Sequence, residues 1–205
     1  MERNAPIQHK GKKLDYTAEA NFENEEQARE FYKIAKKRLL HPYDWYRIAN
    51  LPGAKFVITD HEGRDLIRKM REGDLLRIDI PGPGNSTGDG FDWVQIEEIS
   101  EHIEEPTVES CSVTVRPAAN PREKDNTEVA HFFKNIATST FLVKREKTRL
   151  KAEYHGRNEL INLEVDKLSD KLRNALVGLL AKLGLSNPQW KGLIEGFVDT
   201  KSKTE

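Results

Sequence analysis

Between two strand-like runs the chain reads IPGPGNSTGDGFDWV, from Ile80 to Val94, the nearest approach in this sequence to a phosphate-binding loop. A Walker loop places Lys and then Ser or Thr directly after its last glycine, to reach phosphate and magnesium. Here Gly88 is followed by Asp89 and Gly90, and a strand rather than a helix comes next. No helix N-terminus is expected there to receive an anion, so the dinucleotide fingerprint fails too. Asp89 and Asp92 do not supply the alternating oxygen ligands and distal glutamate of a calcium loop. The stretch reads as a long hairpin loop, with Pro81 and Pro83 ending one strand and Asp89–Gly90 turning the chain back. A lid over a pocket mouth is its functional alternative.

Histidine, cysteine and basic residues offer little more. No two of His9, His41, His61, His102, His131 and His155 stand three or four apart, the spacing that sets two ligands on one helix face. No metal and no cofactor is expected. A GxSxG elbow does not occur, so no hydrolase nucleophile is indicated. The single cysteine, Cys111, excludes an internal disulfide and reads as a small buried hydrophobe in a strand. The basic run VKREKTRLK is interrupted by Glu146 across a hairpin tip, and reads as a solvated turn with an anion or nucleic-acid patch as the alternative. HGRNE, His155–Glu159, reads as a turn freed by Gly156; in its functional reading His155 and Arg157 flank a pocket entrance.

The charge balance narrows the class. Lys plus Arg number 33 against 34 for Asp plus Glu, so no global field recruits nucleic acid or an anionic membrane. No run approaches the ~20 apolar residues of a membrane span, and the polar, basic opening MERNAPIQHKGKKLDY lacks the apolar core of a secretory signal. A soluble cytoplasmic protein is expected, with no nucleic-acid partner. Its 205 residues suffice for one domain with a real core.

The elements that must position any site follow from local signals. Residues 1–13 read as a flexible tail, and LDYTAEANF (Leu14–Phe22) as a first strand. NEEQAREFYKIAKKRLL is a helix, with Asn24 as cap and Gln27 three residues on. Pro42 stops it, and PYDWYRIAN forms a second short helix with proline at its start. Strands follow at Ala54–Asp60, Asp74–Ile80, Asp92–Ser100, Glu109–Pro117, Ser139–Glu146 and Arg149–Gly156, with a short helix expected around TEVAHFF. In the last strand Leu150, Ala152 and Tyr154 face one way and Lys151, Glu153 and His155 the other, which describes a sheet with one dry face. Val165, Leu168, Leu172, Leu176, Leu179, Leu180 and Leu183 mark one stripe of a long helix, closed by Gly184. A shorter helix follows, with a second stripe of Trp190, Leu193, Ile194 and Phe197.

This order resembles the START-like, or helix-grip, superfamily of polyketide cyclases and lipid or hormone carriers. LDYTAEANF matches its first strand, EQAREFYKIAKKRLLHPYDWYRI its helix pair, and STFLVKRE and RLKAEYHG its final strands before the leucine stripe. The resemblance implies an α+β fold: a curved antiparallel sheet of about seven strands gripping a long C-terminal helix, with two short helices after the first strand. It would span residues 14–185, with residues 186–205 a helix and tail packed on it.

It implies further that a hydrophobic or amphipathic small molecule binds between sheet and helix. Leu172, Leu176 and Leu179 would form one wall, Trp45, Phe56 and Tyr154 the other, and Arg116 or His155 would orient a polar head. No catalytic residue is indicated. A local likeness of Arg71–Ile99 to bacterial SH3-like barrels implies a different class, a protein–protein interaction module with helical flanks.

Overall fold

The computed structural model describes residues 5–49, 54–79, 88–125, 127–160 and 187–201. Strand β1 (Lys12–Asn21) leads into helix α1 (Glu25–Leu40), a 3-10 turn (Pro42–Asp44) and the single-turn helix α2 (Trp45–Ile48). Strands β2 (Lys55–Thr59), β3 (Asp65–Leu66), β4 (Leu75–Asp79), β5 (Asp92–Glu105), β6 (Val108–Pro117), β7 (Thr138–Glu146) and β8 (Arg149–Glu159) follow. Helix α3 (Asn187–Val198) is the last element among the described residues.

All eight strands form one antiparallel sheet in the order β1-β8-β7-β6-β5-β4-β2-β3. Register shifts in β1 and at two places in β5 bend the sheet, as bulges do. One face carries Phe56, Leu76, Val94, Ile96, Val113, Phe141, Ala152 and Tyr154, all buried. Helices α1 and α3 cover this face with Tyr32, Ala35, Leu39, Leu193, Ile194 and Phe197. Helix α1 begins where expected, because the Asn24 side chain accepts from the Gln27 N–H at 2.9 Å.

The structure departs from the sequence reading in several places. Strand β1 starts at Lys12 rather than Leu14 and β3 is additional. HGRNE is not a turn: β8 runs through it, with Asp15 opposite His155 and Leu14 opposite Gly156 on β1. Pairing with β1 on one side and β7 on the other satisfies backbone groups that a turn would have left to water. TEVAHFF holds no helix among its described residues. Its backbone is tied outward instead, Trp93 N–H to Ala130 O at 2.8 Å and Ala130 N–H to Ala118 O at 2.9 Å. The described residues of Arg71–Ile99 form no barrel of their own, since strands β4 and β5 lie inside the single sheet. The leucine stripe with Leu172, Leu176 and Leu179, and residues 80–87 of the glycine-rich loop, lie outside the described residues. No helix among the described residues is long and apolar enough to cross a membrane.

Candidate functional site

Between the covered sheet face and α3 lies a small cavity of about 40 Å³. Its walls come from distant parts of the chain. Trp45 arrives on α2, Phe56 on β2, Phe141 on β7, Tyr154 on β8 and Trp190 on α3, while the segment before β7 adds His131, Phe132 and Phe133. Period-two alternation delivers Phe56, Phe141 and Tyr154 to the same side of the sheet.

The rings pack against one another. Trp45 lies 5.1 Å from Phe56 and 4.9 Å from Phe141 between centroids, and its Nε1–H donates to the Arg38 carbonyl at 3.0 Å. Trp190 stacks on Tyr154 with planes 13° apart and centroids 5.3 Å apart, and meets Phe141 edge-on at 64°. Such offset and edge contacts suit the negative faces and positive edges of aromatic rings.

Polar groups are few on these walls. Ser139 Oγ lies 3.0 Å from Tyr154 Oη, and Tyr154 Oη donates to Glu159 Oε1 at 3.2 Å. Burial pushes the Tyr154 phenol well above its ordinary range and raises the Glu159 carboxyl as well. Gly156 makes the arrangement possible, because a β-carbon there would collide with the Glu159 carboxylate. At the other end, His131 Nδ1 accepts from the Phe133 N–H at 2.9 Å. Burial pushes this imidazole down to about 3, so it is neutral and carries its proton on Nε2. Cys111 is buried in the core, and burial pushes its thiol up to about 12, so it is no ready nucleophile.

The remaining residues singled out from sequence lie elsewhere. Arg116 pairs with Glu97 and donates to the Asn135 carbonyl at 2.9 Å, and does not border the cavity. His155 is on the opposite sheet face. Its Nδ1 lies 2.7 Å from Asp15 Oδ1, its Nε2 3.4 Å from Glu153 Oε2, and Arg157 Nη1 lies 2.6 Å from Asp15 Oδ1. Cross-strand register continues this row as Asp15–His155–Thr140–Thr114, with the two threonine hydroxyls 2.9 Å apart. Trp45, Phe56 and Tyr154 are thus brought together, whereas Arg116 and His155 are not. Among the described residues no group of three or more His, Cys, Asp or Glu side chains is placed to hold a metal ion.

Two helices between β1 and β2, a sheet in which the last strand pairs with the first, and a terminal helix across the covered face decide the architecture. It is a helix-grip arrangement, an antiparallel sheet closed over by a C-terminal helix. No family model matches the sequence, and no curated protein matches it either. Solved structures similar to it include a norcoclaurine synthase from Thalictrum flavum at 13% identity, with 94% of this chain and 100% of that one covered and a TM-score of 0.36. The Zhui aromatase/cyclase from Streptomyces sp. R1128 shows 12% identity, coverage of 94% and 99%, and a TM-score of 0.37. The ginseng major latex-like protein 151 from Panax ginseng shows 11% identity, coverage of 85% and 97%, and a TM-score of 0.33.

Among the cavity residues that sequence reasoning missed are Trp190, Phe141, Ser139, His131, Phe132 and Phe133. Trp190 carried a signal, since it opens an apolar helical stripe. Ser139 and Phe141 stand two apart on an expected strand; His131, Phe132 and Phe133 carried no signal, because an irregular segment has no period to read.

Proposed function

We propose that this helix-grip protein binds a hydrophobic or amphipathic small molecule between the sheet and its C-terminal helix, without metal or nucleotide. One observation carries the reading: aromatic rings from α2, β2, β7, β8 and α3 converge on a single apolar cavity whose polar groups include the Ser139–Tyr154 hydroxyl pair and His131. Ligand sites are concave, mostly apolar and oriented by a few polar groups, and this one has that composition. In this arrangement Trp45, Phe56 and Tyr154 form the wall, and Ser139 with Tyr154 offers a hydroxyl to a polar atom of the ligand.

The cavity as it stands holds at most a few waters at about 10–15 Å³ each, so a ligand must open the ring cluster. The test is a titration with 1-anilinonaphthalene-8-sulfonate. Binding to the native protein is expected to saturate and to be displaced by fatty acids or sterol-like compounds. Ala54→Phe places a ring in the cavity wall and is expected to weaken binding while the fold persists. Absence of saturable binding, or binding indifferent to Ala54→Phe, defeats the proposal.

A further inference from the structure

We infer that the open edge of β1 and the groove beside it form a docking site for an extended peptide segment that alternates basic and apolar residues. The site lies on the surface and is independent of the cavity behind the sheet.

Strand β1 stands at one end of the sheet, with β8 as its neighbour. Phe22 N–H donates to Thr148 O at 2.9 Å, continuing the register that sets Asn21 opposite Arg149. Bonded and non-bonded pairs alternate along an antiparallel ladder. Tyr16, Ala18 and Ala20 therefore turn their backbone groups toward β8, whereas Asp15, Thr17 and Glu19 turn theirs outward. Among the described residues no backbone group meets those of Thr17 and Glu19 on that side. An edge of this kind is a template for one more strand.

The edge opens on a groove of about 690 Å³. Ala18 and Ala20 form one wall, Ile48 and Ala49 at the end of α2 a second, and α3 with Val198 a third. A strand added antiparallel, like every other neighbour in this sheet, sends each second side chain into the groove. The small walls there leave room for valine or leucine. The side chains between them lie beside Asp15, Thr17 and Glu19, all three exposed.

Charge selects the occupant. Among the described lining residues Glu19, Glu195 and Asp199 stand with one cation, Lys191, whose Nζ lies 3.8 Å from Glu195 Oε1. Arg149 comes no nearer than 3.9 Å to Glu19. A second copy of the chain fits badly. Pairing two β1 edges about Thr17, which uses all three outward residues, sets Asp15 of each opposite Glu19 of the other, and like charges directly opposed are destabilising. The same carboxylates are complementary to lysine or arginine on an incoming strand.

The experiment follows the fluorescence anisotropy of a labelled peptide of alternating lysine and valine added to the full chain. Binding is expected to saturate and to weaken as salt screens the exposed charges. In the antiparallel register the lysine residues face Thr17 and Glu19 and make the backbone bonds. Methylating the lysine backbone nitrogens is therefore expected to weaken binding at least about tenfold. A peptide of alternating glutamate and valine is expected not to bind. Absence of binding by the lysine peptide, or equal affinity for the methylated or the glutamate peptide, overturns the inference.

Hydrogen exchange reads the edge directly. The Thr17 and Glu19 amides are expected to exchange fast in the free chain and to become protected as the lysine peptide saturates. Protection already present in the free chain overturns the inference: if it falls on dilution the occupant is a second copy, and if it does not, another part of the same chain. Thr17→Pro deletes one outward N–H and leaves the ladder to β8 in place, so it is expected to weaken binding about tenfold with the melting temperature retained. Glu19→Lys leaves the backbone untouched and is expected to weaken binding of the lysine peptide about tenfold through charge reversal. Affinity unchanged in Glu19→Lys overturns the inference even if the proline variant unfolds.

Discussion

The Arg38 guanidinium reaches across from α1 and donates to the carbonyl of Asp199, 2.8 Å away, just beyond the last turn of α3. The same nitrogen also bonds the Gly196 carbonyl, so one buried cation closes a helix end whose last carbonyls have no partner within the helix. Removing it leaves those carbonyls buried and loses hydrogen bonds to a charged group, worth about 1.5–3 kcal/mol each. Arg38→Met should therefore lower the unfolding free energy by roughly that amount and speed amide exchange in α3 before the rest of the fold. Denaturant titration and hydrogen exchange check this. Uniform exchange across α1 and α3 would show that the cap does not hold α3.

Gly196 sets how closely α3 approaches α2. A β-carbon there would overlap both the side chain and the backbone carbonyl of Ile48. Gly196→Ala should push α3 outward at a cost of about 1–3 kcal/mol, the usual range for overpacking. Ile48→Ala in the same chain should recover only part of the loss, because the backbone carbonyl stays. Thermal unfolding of both single variants and the double variant measures the coupling, and full recovery would place the clash on the side chain alone.

The cluster on the outer sheet face makes stability depend on pH. Burial alone would lower the pKa of His155, but hydrogen bonds to Glu153 and Asp15 outweigh it and raise it above the ordinary 6.5. A raised histidine stabilises the fold fully below 6.5 and loses that contribution as pH rises through its folded value. Glu153 has the opposite sign. Its hydrogen bond from His155, helped by Lys151, holds it at about 2 against an ordinary 4.5, so its contribution is complete above 4.5 and is lost as pH falls toward 2. Asp15 is lowered likewise, its contacts with His155 and Arg157 overcoming burial. The cluster should stabilise most between about pH 4.5 and 6.5. His155→Gln should flatten the alkaline limb of a melting-temperature profile; an unaltered limb would assign it to other groups.

The cap of α1 is a local contact. Asn24→Ala removes the 2.9 Å bond to the Gln27 N–H and should cost about 1 kcal/mol, with Asn24→Asp nearly neutral. Chemical denaturation of the two variants side by side checks the order. Equal losses would mean that the side chain serves a contact other than the cap.

Helix α1 was legible in the sequence because every signal that makes it lies within a turn of where it acts: Asn24 before it, Pro42 after it, and an apolar face between. The buried face of β8 was legible for a similar reason, since Leu150, Ala152 and Tyr154 alternate with charged residues. The convergence of Trp45, Phe56 and Tyr154 followed from the element order once a helix-grip fold was expected. The nature of the rest is long-range. His155 and Gly156 look like turn residues until β1, starting more than a hundred residues earlier, supplies the backbone partners that continue the strand. His131 and its phenylalanines carry no period, and only the outward ties of Ala130 to Trp93 and Ala118 decide their course. Trp190 could be read as apolar and helical. That its ring lies flat on Tyr154 depends on how α3 docks, which Arg38 and Gly196 determine from opposite sides of a contact with no local trace. Local chemistry writes the elements; the packing of distant side chains, each contact made only once the chain has closed, writes the site.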